Sequence, residues 1–297
     1  MELIVISSEN VDWTFDYWKN IGREVPYFFE TTKEAFCESL FSDRFYGAPI
    51  FNEHHILAAV EEERVKGLIQ FGLPCFHFAE GKRIQDPEIG VIRYLYFDQD
   101  REDLGKALLQ RAMNFFEEKN RRDLYAFYHA MGMSCNGNHG KLHETHGYIA
   151  DFLLEEGFDI EHENVYYALE MEPQQTEDSG QLIVKTEDPF KEKLQFVREG
   201  KTVGVAEMKF IKDVTGMDSR ILFLIWITVD PAVKGKGIGT EFMKHIQNHY
   251  LENGYTVMHT DTAYNNTAAR KYYQRNGFKD LGIMRSFHKL GNQQDEV

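Results

Sequence analysis

A chain of 297 residues is long enough for two ordinary domains or one large one, and at 42% hydrophobic and 14% aromatic it can bury a sizeable core, which excludes a disordered chain. Its formal net charge of -15 argues against nucleic acid, because phosphate backbones reward basic surfaces, and is compatible with a cationic small partner. Three widely spaced cysteines, Cys37, Cys75 and Cys135, with no C-x-x-C pair, fit reduced thiols in a cytoplasmic protein.

The first residues, 1–6, have no basic region and no long apolar core, so they do not read as a signal peptide. A helical region is expected over residues 13–40, ahead of a hairpin. A strand over 90–97 runs into an acidic turn, 98–103, and then a helix with Leu108, Leu109, Ala112, Phe115 and Phe116 on one face. A strand over 123–128 follows, then a loop rich in glycine and histidine, a helix that includes 151–154, the turn Gly157-Phe158 and a strand over 165–169. The polar stretch 173–180 lacks apolar periodicity and reads as a linker.

The second half repeats this order. A strand over 181–185 passes almost directly to a hairpin, 194–209, that turns at Glu199-Gly200-Lys201, with no room for two helices between them. A nine-residue apolar strand, 221–229, too short to span a bilayer, leads to a glycine turn and a helix carrying Phe242, Met243, Ile246 and Tyr250. That helix stops at Asn253-Gly254, and a strand (255–258), a helix (268–275), the turn Gly277-Phe278 and a strand (281–290) complete the half. Pairing Gly105 with Gly239 and Gly157 with Gly277 gives intervals of 52 and 38 residues, so the first copy carries 14 more, which fit the loop around 131–147. Two copies of one βαβαβ domain are therefore expected: 1–172, a linker at 173–180, and 181–297.

The glycine turn has chemical meaning. A turn with few side chains that opens a helix offers several backbone N–H donors and the positive helix end to an anion, most often a phosphate. Neither a Walker A loop nor the dinucleotide fingerprint is present, since the spacing is G-x-G-x-G. A second pattern follows about one strand later: Asn266, Ala269, Tyr273 and Gly277-Phe278, at intervals of three, four and four.

With V-x-P-x-x-K-G-K-G-I-G-T followed by N-x-x-A-x-x-x-Y-x-x-x-G-F, the chain resembles the GNAT superfamily of acetyl-CoA-dependent N-acetyltransferases. The motifs cover 222–278, and the order of elements extends the resemblance to 181–290. The fold it implies is α/β (α+β): two tandem GNAT-like domains, each a mixed, mostly antiparallel sheet flanked by helices. It implies acetyl-CoA as co-substrate, with Lys234, Gly235, Lys236, Gly237, Ile238, Gly239 and Thr240 around the pyrophosphate. Lys234 stands where the family usually has Arg or Gln; it keeps the charge but loses the planar fork. Ile227 and Val229 would splay from the neighbouring strand and offer backbone groups to the acetyl carbonyl and pantetheine amides. Asn266 would hydrogen-bond the cofactor arm, and Tyr273 would protonate the departing thiolate. Tyr273 also fits an amphipathic helix as a buried tyrosine.

The base is less determined. Family members place a glutamate either on the strand opposite the glycine turn or five residues before the motif asparagine. Here those positions hold Phe223, which cannot serve, and Asp261, which would act through a water or would be no more than a strand-end turn residue. Glu207 and His259 are further candidates.

The first copy lacks the apparatus. Glu102 and Asp103 stand at the positions of Lys236 and Gly237, and Leu153 at that of Tyr273, so this half reads as a degenerate GNAT domain that does not take acetyl-CoA. Its helices would form a wall of the acceptor cleft, although another subunit of a dimer could supply the same wall. His139, His143 and His146 lie in its long loop, which reads as solvated, and no metal is expected. The function implied is direct transfer of acetyl to a primary amine of a small molecule or peptide, without nucleic acid, membrane or acyl-enzyme, since neither motif holds a cysteine. An acyl-CoA sensor or scaffold without turnover is the alternative.

Overall fold

The structure, a computed structural model, describes residues 1–45, 47–79, 82–137, 139–176, 180–188, 191–211 and 220–291. The chain divides into two compact units: Met1–Glu163 together with the chain's end from Met284, and Asn164–Ile283. The expected boundary at the polar stretch 173–180 is therefore not where the units divide. Strand pairing decides membership, and two strands carry the chain across before and after that stretch.

In the first unit, β1 (Glu2–Val5) precedes α1 (Asp12–Gly22) and α2 (Lys33–Phe41). The single helical region expected here is two helices, with Pro26 in the break, where it would otherwise cost a helix its hydrogen bond. Thr32 starts α2 by accepting the Ala35 N–H at 3.1 Å. Then come β2 (Arg44–Phe45), β3 (Ala48–Pro49), β4 (Phe51–Glu61), β5 (Arg64–Pro74), β6 (Phe76–Ala79), β7 (Lys82–Gln85) and β8 (Ile89–Phe97). They are followed by α3 (Glu102–Glu118), β9 (Asp123–Ala126), β10 (Leu142–His143), α4 (Gly147–Glu155) and β11 (Asp159–Glu170).

The main sheet of this unit runs β1-β4-β5-β8-β9, antiparallel except for β8–β9. A parallel pair needs a crossover, and α3 supplies it. Its buried face (Leu104, Leu108, Leu109, Ala112, Phe116) packs in one core with Leu68 and Phe97. Burial of each such leucine or phenylalanine stabilises by roughly 1.5–3 kcal/mol. The last strand of the chain completes this sheet: Phe287 to Leu290 pair antiparallel with Ala126 to Asp123.

In the second unit, residues 164–170 of β11 pair antiparallel with β16 (Val257–Ala263). The order continues to β15 (Ile221–Val229), β14 (Lys201–Phe210), β13 (Lys191–Arg198) and β12 (Gln181–Asp188). No helix lies between β12 and β14 among the described residues, as the short spacing requires. The β13–β14 turn uses positive φ at Glu199 and Gly200 (50° and 75°). Helices α5 (Ile238–Glu252) and α6 (Thr267–Arg275) share one core with Val165, Tyr167, Leu169, Leu222, Leu224 and Met258. The final strand, β17 (Lys279–Leu290), begins here and ends in the first unit.

Candidate active site

The glycine turn sits where β15 meets α5. Asp230 turns the chain by accepting the Ala232 N–H at 2.8 Å, and a 3-10 turn, Pro231–Val233, follows. Gly235 and Gly237 have φ of 77° and 79°, the left-handed region that glycine enters without strain. A Cβ at either would meet nothing within 4 Å, so the turn is an open cradle rather than a packed connection. Gly237 is the N-cap of α5 and no side chain caps the helix, so first-turn N–H groups are left for a ligand. Lys234, Lys236 and Thr240 are exposed around it, and Ile238 is buried beneath. Gly239 has a different role: a Cβ there would lie 3.1 Å from the Tyr272 ring.

Beside the turn the sheet opens. The parallel register of β15 with β16 runs from Ile221↔Val257 to Phe223↔His259 and stops, although both strands continue. On its other edge β15 stays paired with β14 as far as Val229↔Gly204, with an irregularity between Leu224 and Trp226. Asp230 N donates to Val203 O, and backbone groups alternate in direction along a strand. Ile227 and Val229 therefore direct theirs toward the side that β16 has left.

Tyr273 stands at this opening. It is 5% exposed, against the rings of Tyr167 and Phe278. Thr260 bridges the parted strands: its hydroxyl donates to Leu224 O at 2.8 Å and lies 3.5 Å from the Tyr273 oxygen. Burial pushes the Tyr273 phenol above the ordinary 10.0, the Thr260 contact pulls the other way, and the Asp261 carboxylate adds to the rise. The phenol therefore carries its proton throughout the neutral range, as a proton donor must.

The other predicted residues are placed as follows. Asn266 is exposed and caps α6, its Oδ1 accepting the Ala269 N–H at 3.2 Å, so any bond to a ligand arm would be donated by its Nδ2. Asp261 follows Thr260 on β16, so the two face opposite sides of the sheet, and Asn164 Nδ2 donates to its carboxylate. Glu207 is committed elsewhere: Lys191 donates to it at 2.9 Å and the Trp226 indole at 3.1 Å. His259 is 6% exposed, its Nδ1 lies 2.9 Å from the Tyr166 hydroxyl, and burial drives its pKa down to about 4. A ring that holds its proton so loosely is poorly matched to take one from an ammonium.

The acetyltransferase (GNAT) family matches residues 148–278, which contain all of these groups. That segment is a GNAT acetyltransferase domain. Over its whole length the chain has the tandem GNAT fold. It is similar to a tandem GNAT protein from the clavulanic acid biosynthesis pathway, solved without AcCoA, at 13% identity over 99% of both chains with a TM-score of 0.62. It is similar, at 11% identity and a TM-score of 0.63, to the GCN5-related glucosamine N-acetyltransferase region of a fungal multi-domain GH3 β-N-acetylglucosaminidase, over 97% of this chain and 38% of that one. A GCN5-related N-acetyltransferase from Sphaerobacter thermophilus matches at 9% identity over 87% of this chain and 85% of that one, with a TM-score of 0.57. At these identities the likeness is one of fold. No curated protein matches the chain in sequence.

The counterpart region of the first GNAT-like unit is built differently. Its helix α3 starts at Glu102, the position aligned with Lys236, and puts Glu102 and Asp103 in the first turn. Arg101 spends its guanidinium on Asp103 (2.9 Å twice) and on Glu61. Beyond the registered pair Ile92↔Ala126, the rings of Tyr96 and Phe127 pack at 5.7 Å, and a cavity of only about 30 Å³ remains among Trp18, Tyr94, Tyr96 and Phe127. The long histidine loop is not solvated, contrary to expectation. His143 and His146 are 5% and 1% exposed, and Tyr27 packs edge-on against both His139 and His143. Aromatic packing, which glycine and histidine content does not reveal, holds this loop inside the unit. No helix among the described residues is long and apolar enough to cross a membrane.

Proposed function

We propose that the second unit transfers acetyl directly from acetyl-CoA to a primary amine. The observation that carries this reading is the parting of β15 and β16 after Phe223↔His259, with Tyr273 at the opening and the uncapped glycine turn beside it. The glycine turn and the N-terminus of α5 would hold the pyrophosphate, and Ile227 and Val229 would offer backbone groups to the pantetheine arm and the thioester carbonyl. The amine nitrogen forms a bond to the thioester carbon, and the carbon–sulfur bond breaks. Tyr273 gives its proton to the leaving thiolate, and the proton lost by the amine passes through a water to Asp261, since Glu207 is held by Lys191 and burial depresses His259. The net charge of -15 favours a cationic acceptor, by attraction over distance rather than by any one contact.

The test is thiol release by the purified full chain with acetyl-CoA and a panel of amines (amino sugars, polyamines, amino acids and peptide N-termini). Acceptor-dependent release with acetylated product in equal amount supports the proposal. Tight acetyl-CoA binding with no release for any amine would turn the reading to a sensor.

A further inference from the structure

His129, Glu161 and His162 of the first unit bring three ligand-type atoms within 4.8 Å of one another. The acyl-transfer reading uses none of them. His129 opens the 3-10 turn His129–Met131 that follows β9, and Glu161 and His162 are neighbours on β11. Consecutive strand residues ordinarily diverge to opposite faces, yet the tips of these two converge, with His162 Nε2 3.6 Å from Glu161 Oε1. The other carboxylate oxygen is fixed, because Ser286 Oγ donates to Glu161 Oε2 at 3.0 Å. A carboxylate held at one oxygen with the other turned toward an imidazole is the arrangement that orients a metal ligand. The His129 and His162 rings meet edge-on with centroids 5.6 Å apart. His129 Nδ1 is buried and has no hydrogen-bond partner, so the ring brings an unsatisfied polar atom into this cluster.

We infer that His129, Glu161 and His162 form a site for one divalent transition-metal ion of the zinc type. Two imidazoles and one carboxylate suit a borderline ion, whereas magnesium and calcium call for oxygen donors throughout. His162 is half exposed, so the remaining coordination position opens to solvent.

The experiment uses the full chain stripped with a chelator and titrated with ZnCl₂ by calorimetry, then with CoCl₂ followed by visible absorption. Wild type is expected to take one equivalent of either ion, with cobalt bands of a four- or five-coordinate centre and a rise in melting temperature on adding zinc. His162→Ala removes a half-exposed ring and leaves the fold intact; Glu161→Gln removes the charge and keeps an acceptor for Ser286. Each is expected to weaken zinc at least about tenfold, since even a ligand-orienting partner is worth that much, and to abolish the zinc-dependent thermal shift. No saturable binding to wild type, or affinity within twofold of wild type in His162→Ala, overturns the site.

Discussion

The hydroxyl of Tyr272 donates to the carbonyl oxygen of Gly239 at 2.8 Å, joining helix α6 to the first turn of α5. The two motifs of the site are therefore one packed object: the ring of Tyr272 lies where a Gly239 Cβ would press on it. Tyr272→Phe should cost about 1 kcal/mol of stability, the usual net worth of one hydrogen bond, with little change in acetyl-CoA affinity. Gly239→Val should cost more and weaken acetyl-CoA, because the displaced ring shifts the turn. Melting curves and calorimetry on the two variants check this, and equal affinity in wild type and Gly239→Val would show that the contact does not position the turn.

Gly237 separates charge from backbone geometry. At φ 79° asparagine and aspartate are both tolerated better than other side chains, and only aspartate brings a charge. Gly237→Asn should lower acetyl-CoA affinity modestly, and Gly237→Asp much further, with the difference shrinking as salt is raised. Titrations at two ionic strengths decide. Equal affinities in the two variants would mean that the pyrophosphate does not lie on this turn.

Tyr273→Phe should reduce turnover by roughly 10²–10⁴-fold, the usual range for a general acid, while acetyl-CoA affinity stays within twofold. The sign of the pH effect follows from burial. The phenol's pKa lies above 10.0, so its protonated, active form persists through neutral pH and is lost only in strong alkali. An alkaline fall in kcat with a midpoint below pH 10, absent in Tyr273→Phe, would contradict this environment.

Much of the second unit was legible in the sequence because its signals are local. An apolar run, a glycine turn and the Asn266–Ala269–Tyr273 spacing are each written within one segment. Tyr272 escaped notice because its partner lies on another helix, and a tyrosine one residue from a motif carries no periodic signal. The metal-type cluster escaped for a similar reason: His129 and His162 are far apart in the chain, and the histidines that stand close together, His139 to His146, are packing residues. The exchange of strands was illegible because apolar runs such as 165–169 and 281–290 specify a strand but not which sheet receives it.

His259 and pH offer a fourth test. Its folded pKa of about 4 lies below the ordinary 6.5, so the unfolded chain binds this proton more tightly. Stability from this group is whole above pH 6.5 and falls as pH drops toward 4, by at most roughly 1.4 kcal/mol per pH unit. His129 acts in the same direction. His259→Gln does not titrate and can still meet the Tyr166 hydroxyl. Its stability should therefore decline less steeply than wild type between pH 6.5 and 4 in denaturant melts, and parallel curves would mean that His259 is protonated in the folded protein.

The division of strands predicts which fragments fold. A piece covering 181–297 holds every predicted active-site residue, yet it lacks the strand 164–170 that pairs with β16. Without it the core loses Val165, Tyr167, Leu169 and Met171, and one edge of β16 is left bare. Three of those are aliphatic, each worth roughly 1.5–3 kcal/mol on burial, which together approach the roughly 5–15 kcal/mol that holds a domain folded. The same piece carries residues 284–290, whose partners β10 and β9 it does not contain. It should therefore be insoluble, or collapsed without fixed packing: a weak near-UV spectrum, strong dye binding and no cooperative melt. Residues 164–283 restore the missing strand and omit the orphaned one, and this shorter piece should melt cooperatively and bind acetyl-CoA. The comparison is informative because the predicted ligand-binding residues are identical in both. If the 181–297 piece melts cooperatively and binds acetyl-CoA as tightly as the full chain, the pairing of β11 with β16 is dispensable, and the boundary belongs at the polar stretch after all.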